Sequence, residues 1–132
     1  MKDSQKFRSF KIESPESIQN KVLDIFSYHG ERQKIEYRTN EFSAVCPFSG
    51  LPDIGQIMIE YIPYKKILEL KSLKLYFISF RNVGIYQEEV TDRIFKDIAE
   101  ILEPCSLKIT TVYNTRGGID ATCQMEKRWK RK

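Results

Sequence analysis

Histidine is almost missing from this chain: His29 is the only one in 132 residues. A metal centre or catalytic triad built on imidazole therefore has at most one side chain to draw on. Cysteine is nearly as scarce, with Cys46, Cys105 and Cys123 alone. An odd number without a Cys-x-x-Cys spacing argues against a disulfide framework and fits a reducing compartment. No stretch approaches the roughly 20 apolar residues of a membrane span. The opening Met1-Lys2-Asp3-Ser4-Gln5-Lys6 also lacks the apolar segment of a secretion signal. The expected location is cytoplasmic. There is no Gly-x-Gly-x-x-Gly run, which excludes dinucleotide binding in the Rossmann manner. Nor does one sign of charge dominate: the formal net charge is +4, concentrated partly in Lys127-Arg128-Trp129-Lys130-Arg131-Lys132, so no basic face over the whole domain is implied.

What is present is enough apolar and aromatic content for one ordinary core, and the length bounds the chain to one domain. Residues 1–32 are mostly polar and read as a loosely attached N-terminal arm. Ile35, Tyr37, Phe42 and Val45 predict a strand ending at Cys46, interrupted around Thr39-Asn40. Ile57, Ile59 and Tyr61 then alternate with Met58, Glu60 and Ile62, and Pro63 ends the run. The period changes at Leu73, Tyr76, Phe77 and Phe80, a short helix with Ser72 as its cap and Asn82-Val83-Gly84 as its stop. A longer helix runs from Gln87 to Leu102, with Val90, Ile94, Ile98, Ile101 and Leu102 on one face and Pro104 behind it. Two more alternating strands flank the turn Arg116-Gly117-Gly118. The order β-β-α-α-β-β predicts an α+β layer, a four-stranded antiparallel sheet with both helices on one face. Its exposed edges invite closure by other copies of the chain. The domain is expected over 33–126, followed by a solvated basic tail at 127–132.

The most informative residues lie in Cys46-Pro47-Phe48-Ser49-Gly50-Leu51-Pro52-Asp53. A loop held by two prolines and a glycine brings one carboxyl toward one thiol. A thiolate attacks electrophilic carbon and a protonated carboxyl delivers a proton, so the pair points to covalent chemistry. The residues alone leave the plainer readings open. Cysteine is commonly an inert buried side chain, and Asp53 after Pro52 suits a turn.

Further motifs narrow the choice. Glu41-Phe42-Ser43-Ala44-Val45-Cys46-Pro47 with Asp53, Glu69-Leu70-Lys71-Ser72-Leu73-Lys74-Leu75-Tyr76, Ser79-Phe80-Arg81-Asn82, Glu88 and Arg116-Gly117-Gly118 follow in order. Across about residues 41 to 120 the chain resembles the single-module NADPH-dependent nitrile reductases of queuosine biosynthesis, the QueF family. The Glu-x-Lys-Ser-x-Lys run is that family's signature. The resemblance implies reduction of 7-cyano-7-deazaguanine to 7-aminomethyl-7-deazaguanine, a step toward a modified tRNA nucleoside. It also implies the tunnelling fold, with pentameric rings stacked in pairs as a decamer and active sites at subunit boundaries.

By the same resemblance, Cys46 adds to the nitrile carbon to give a thioimide, and Asp53 supplies the proton that the nitrogen takes. NADPH then delivers two hydrides. Glu88 reads the amino and ring N–H groups of the guanine-like edge, as a carboxylate accepting two hydrogen bonds can. Leu68, Glu69, Leu70 and Gln87 also line the substrate site. Leu70, Lys71, Lys74, Arg116 and Gly117 face the cofactor phosphates. Taken singly, Glu88 also suits a helix N-terminus, the lysines a solvated helix edge and Arg116-Gly117-Gly118 a hairpin turn.

One departure stands out. Family members commonly carry histidine before the glutamate, and Gln87 occupies that place, hydrogen-bonding but unable to shuttle a proton near neutral pH. No metal set like that of the related GTP cyclohydrolases is expected, and Cys105 and Cys123 read as packing residues. Two rival functions remain at this level. One is an amidinotransferase of the same superfamily, acting on a nitrile already in tRNA; the other is a non-catalytic RNA-binding module using Lys127 to Lys132 and Trp129. The lysine signature favours the reductase, which is expected to act on a small molecule without direct nucleic-acid contact.

Overall fold

The computed structural model describes residues 11–132. In chain order it contains β1 (Ile25–Ser27), β2 (Ile35–Val45), β3 (Pro52–Ile62), β4 (Lys66–Leu68), α1 (Leu70–Ile78), α2 (Gln87–Leu102), β5 (Ser106–Arg116) and β6 (Ile119–Arg128). The four long strands form one antiparallel sheet in the order β2-β3-β5-β6, and β1 pairs with β4 in a separate two-stranded ribbon.

Period-two burial builds the sheet's inner face. Asp53, Gly55, Ile57, Ile59 and Tyr61 of β3 are buried, as are Leu107, Ile109, Thr111 and Tyr113 of β5. Both helices cover this face. Phe42 of β2 meets Phe77 of α1 edge to face at 6.0 Å between ring centroids. On α2, Val90, Ile94, Ile98 and Leu102 face inward at helical spacing. Thr91 of α2 and Thr111 of β5 are both buried and satisfy each other through a 2.6 Å hydroxyl contact. The expected α+β layer is therefore the observed one. The break in β2 is also observed, as a register shift between Thr39 and Phe42 against β3.

Four local expectations are corrected. The cap of α1 is Glu69, whose carboxylate accepts from the Lys71 and Ser72 amides at 2.9 and 2.6 Å. Ser72 lies buried inside the first turn, where its hydroxyl donates to the Glu69 carbonyl at 2.7 Å and accepts from the Asp24 amide at 2.9 Å. The longer Glu side chain reaches forward onto the amides of the first turn, so the cap sits at Glu69, three residues before Ser72. The helix also ends at Ile78, before Asn82-Val83-Gly84, as the Ser79 hydroxyl draws on the Tyr76 carbonyl at 2.6 Å.

Residues 1–10 lie outside the described residues, but 11–32 are not loosely attached. Ile18 and Leu23 are buried in the core. β1 lies antiparallel to β4 with Ile25 opposite Leu68, and Glu13 exchanges backbone hydrogen bonds with Asn82 and Gly84 at 2.7 and 2.8 Å. One lone isoleucine and the short set Val22, Leu23, Ile25 and Phe26 in a polar segment show no period to betray them. The basic tail is anchored in the same way: Trp129 stacks on Phe95 at 6.2 Å, and Arg131 Nε donates to the Pro104 carbonyl at 2.9 Å. No helix among the described residues is long and apolar enough to cross a membrane.

Candidate active site

Cys46 follows the last residue of β2. Val45 donates to the Val83 carbonyl at 2.9 Å and accepts from the Ile85 amide at 3.0 Å, so the strand end is tied to the segment leading into α2. The Cys46 amide donates to the Leu51 carbonyl, and its own carbonyl accepts from Gly50, both at 2.9 Å. Closing that loop requires a positive φ of 72° at Gly50, a conformation that favours glycine. The thiol is half-buried. Its pKa is lowered, chiefly by a hydrogen bond from the Ser49 hydroxyl and then by the Ser49 and Phe48 amides; burial and the nearby negative Asp53 oppose this. A turn whose donors converge on a thiol is the environment that makes a usable thiolate. Sequence reasoning missed Ser49, although its place three residues after the cysteine in a Pro/Gly loop was the available signal.

Asp53 is the second residue of β3, directly opposite Ala44, and is 4 % exposed. Its carboxylate receives the Arg116 guanidinium in a buried-to-surface ion pair. Arg116 closes β5, where the pairing with β6 shifts register between Tyr113 and Arg116. The structure thus places Arg116 on the carboxylate of Asp53. Gly117 and Gly118 form the exposed turn behind it, with open space around both.

Gln87 and Glu88 start α2, Gln87 half-buried and Glu88 exposed. Tyr113 lies beneath this region on the inner face of β5, and the charges of Asp53 and Glu88 both bear on its hydroxyl. Cys46, Asp53, Arg116, Gln87, Glu88 and Tyr113 therefore gather at one end of the sheet. Tyr113 is a further residue that sequence reasoning missed; it reads there as ordinary strand packing.

The remaining predicted residues do not join them. The Leu68 amide donates to the Tyr61 hydroxyl at 3.2 Å. Tyr61 lies eight residues along β3 from Asp53, roughly 26 Å at the usual strand rise. Glu69 is held ionised, its pKa lowered first by the Ser72 amide and then by the Lys71 amide. Leu70, Lys71 and Lys74 are exposed. Leu70 and Lys74 line a cavity of ≈ 220 Å³ with Tyr37, Arg38, Phe77 and Arg81. Among the described residues no group of three or more His, Cys, Asp or Glu side chains is placed to hold a metal ion.

Comparison with known proteins supplies a context for this geometry. A family model described as QueF-like protein matches residues 52–132, which include Asp53, Glu88 and Arg116. A relative from Thermotoga maritima, called NADPH-dependent 7-cyano-7-deazaguanine reductase, is 52% identical over 89% of this chain and 87% of its own length. One of the same name from Caldanaerobacter subterraneus subsp. tengcongensis is 46% identical over 90% of each chain. Among solved structures, the apo form of the archaeosine synthase QueF-Like superposes with a TM-score of 0.65 at 22% identity, covering 75% of this chain and 95% of its own. That last likeness establishes a shared fold. The family match and the extent of these identities together show that the chain belongs to the QueF-like family.

Proposed function

We propose that this protein reduces the nitrile of 7-cyano-7-deazaguanine to an aminomethyl group at the expense of two NADPH, in queuosine biosynthesis for tRNA. The observation that carries the reading is the Cys46 thiol, activated by its own loop and adjoining the buried Asp53, in a chain closely related to reductases of that name. The archaeosine synthase shares only the fold, and fold does not choose between reactions.

The residues divide the work. Cys46 attacks the nitrile carbon, forming a C–S bond as the C≡N π pair moves to nitrogen, which takes up a proton to give a thioimide. Asp53 is the group for that proton. While paired with Arg116 it is an acceptor, so donation requires the guanidinium to swing away, and a phosphate offers it a competing bidentate partner. Glu88, exposed at the start of α2, receives the N–H groups of the guanine-like edge. The cation set fits a phosphorylated cofactor: Arg38, Lys74 and Arg81 share one cavity, and Lys71, Arg116 and the open Gly117 turn are accessible. NADPH supplies the hydrides. Nothing in the reaction asks for a metal.

The assembly follows from separation. One ligand cannot span the roughly 26 Å between the Asp53 end of β3 and Leu68, so Leu68 and Glu69, with Leu70, Lys71 and Lys74 following them on α1, are assigned to the site of a neighbouring protomer. Phe48, Leu51 and Ile54 around the thiol loop are exposed at 91%, 58% and 49%, apolar surface suited to such a neighbour. β2 and β6 are free sheet edges that ring closure would pair. A cytoplasmic decamer of two pentamers is the assembly we infer.

Purified protein should oxidise NADPH only when 7-cyano-7-deazaguanine is present, with two NADPH consumed per nitrile. No oxidation with that nitrile would overturn the proposal.

A further inference from the structure

The buried end of this site contains one polar atom that the protein itself does not satisfy. Tyr113 is 5% exposed, and among the described residues its hydroxyl is the one buried side-chain oxygen or nitrogen without a hydrogen-bond partner. The ring is held firmly. It lies against Gly55, its cross-strand partner on β3, where an added Cβ would come within 3.1 Å of the ring and 2.6 Å of the Val112 carbonyl oxygen. A glycine at that point is what lets the phenol lie flat on the sheet.

The nearest acceptors are committed elsewhere without being saturated. The Thr111 hydroxyl, next on the same face of β5, pairs with Thr91 at 2.6 Å while still bearing on the phenol, and Asp53 holds Arg116. None of them closes a hydrogen bond with the Tyr113 hydroxyl. The ionisable groups that bear on the phenol are Asp53, Glu88 and Cys123. Burial, the largest influence, pushes its pKa far above the ordinary phenol range, so the group stays an O–H donor. Leaving such a donor without a protein partner is destabilising, and an arriving acceptor recovers the loss.

The chemistry of the substrate says which acceptor. In 7-cyano-7-deazaguanine the N1–H and 2-amino group form one edge, the nitrile projects from another, and the C6 carbonyl oxygen stands between them. Glu88 suits the N–H edge, and Cys46 with Asp53 suits the nitrile. Two carboxylates repel a carbonyl oxygen, whereas a neutral O–H near both receives it. We infer that Tyr113 is a further substrate-contacting residue of this site, donating its hydroxyl to the C6 carbonyl oxygen of the bound deazaguanine and so setting specificity for the oxo form; this rests on the reading given under Proposed function.

The test is a double cycle read by titration calorimetry in a Cys46→Ala background, so that only noncovalent binding is measured. Tyr113→Phe removes the hydroxyl alone, and since that group has no partner in the free protein the melting temperature should not fall. With 7-cyano-7-deazaguanine, Tyr113→Phe should weaken Kd about tenfold. With 2-amino-7-cyano-7-deazapurine, which lacks the carbonyl oxygen, the two proteins should bind equally. Equal affinity for the first ligand overturns the assignment, and so does the same loss with both ligands, because the carbonyl then has no part in it. Failure of the protein with Tyr113 intact to bind the nitrile at all removes the underlying reading and this inference with it.

Discussion

The two ends of the sheet are built on different principles. At the Cys46 end the polar groups are partly or wholly buried and act on one another: Ser49 on the thiol, Arg116 on Asp53, and the Asp53 and Glu88 charges on Tyr113. At the Leu68 end the backbone is buried and capped, while Leu70, Lys71 and Lys74 face outward. Low hydration makes the first end suited to moving protons and electron pairs. Exposure makes the second suited to meeting a highly charged ligand without a large desolvation cost. On the proposed function each end supplies half a site, completed by a neighbouring protomer.

The contrast can be broken most severely at the thiol. Cys46→Ala should lower turnover by at least about a thousandfold, as loss of a covalent nucleophile does, and mass spectrometry should find no substrate adduct. Substantial turnover in this variant would reduce the Cys46 end to a binding surface. Complementation examines whether the two ends come from different protomers. Cys46→Ala and the double variant Lys71→Ala, Lys74→Ala should each be nearly inactive. Dissociated and reassembled together, they should recover up to about a quarter of wild-type activity, because random pairing across an interface makes that share of sites intact. Continued inactivity of well-formed mixed oligomers would place both ends in one chain's own site.

A smaller effect is expected at the ion pair. Arg116→Met leaves the buried Asp53 carboxylate without its cation and should cost about 2 kcal/mol in a denaturant titration. An Asp53→Asn, Arg116→Met double variant should recover part of that loss, which would be absent if the pair were merely a surface contact. The mildest test concerns the thiol's own loop. The folded Cys46 pKa lies below that of a free thiol because Ser49 stabilises the thiolate, so activity should begin to rise at a lower pH than an unassisted cysteine allows. Ser49→Ala should move that rise to higher pH, slow the enzyme near neutrality, and leave the rate unchanged once the pH exceeds both values. An unmoved pH–rate profile would mean that the loop amides suffice.

Much of this could be read in the sequence because local spacing carries it. The alternation Ile57, Ile59, Tyr61 identified the inner face of β3, and the helical face from Val90 to Leu102 identified α2. The interruption near Thr39 was visible because Thr39-Asn40 breaks an apolar pattern. Glu69 was harder: as a member of a motif it reads as a substrate residue, and only the backbone shows its carboxylate committed to the helix start. The arm and the tail were misjudged for a related reason. Ile18 and Trp129 are single apolar side chains in polar surroundings and Leu23 belongs to a run too short to show a period, so their value depends on a pocket made elsewhere in the chain.

By itself the sequence determined the strand and helix order, the α+β layer, and the pairing of Cys46 with Asp53 across a short rigid loop. Each follows from residues a few positions apart, where backbone geometry leaves few alternatives. Only the tertiary structure decided that Arg116 closes on Asp53 from 63 residues away, that Tyr113 lies on Gly55 with its hydroxyl unanswered, and that Leu68 is tied to Tyr61 at the other end of β3 from Asp53. These depend on strand register, which one residue of slip would reverse, and register is settled by the whole core rather than by any local pattern.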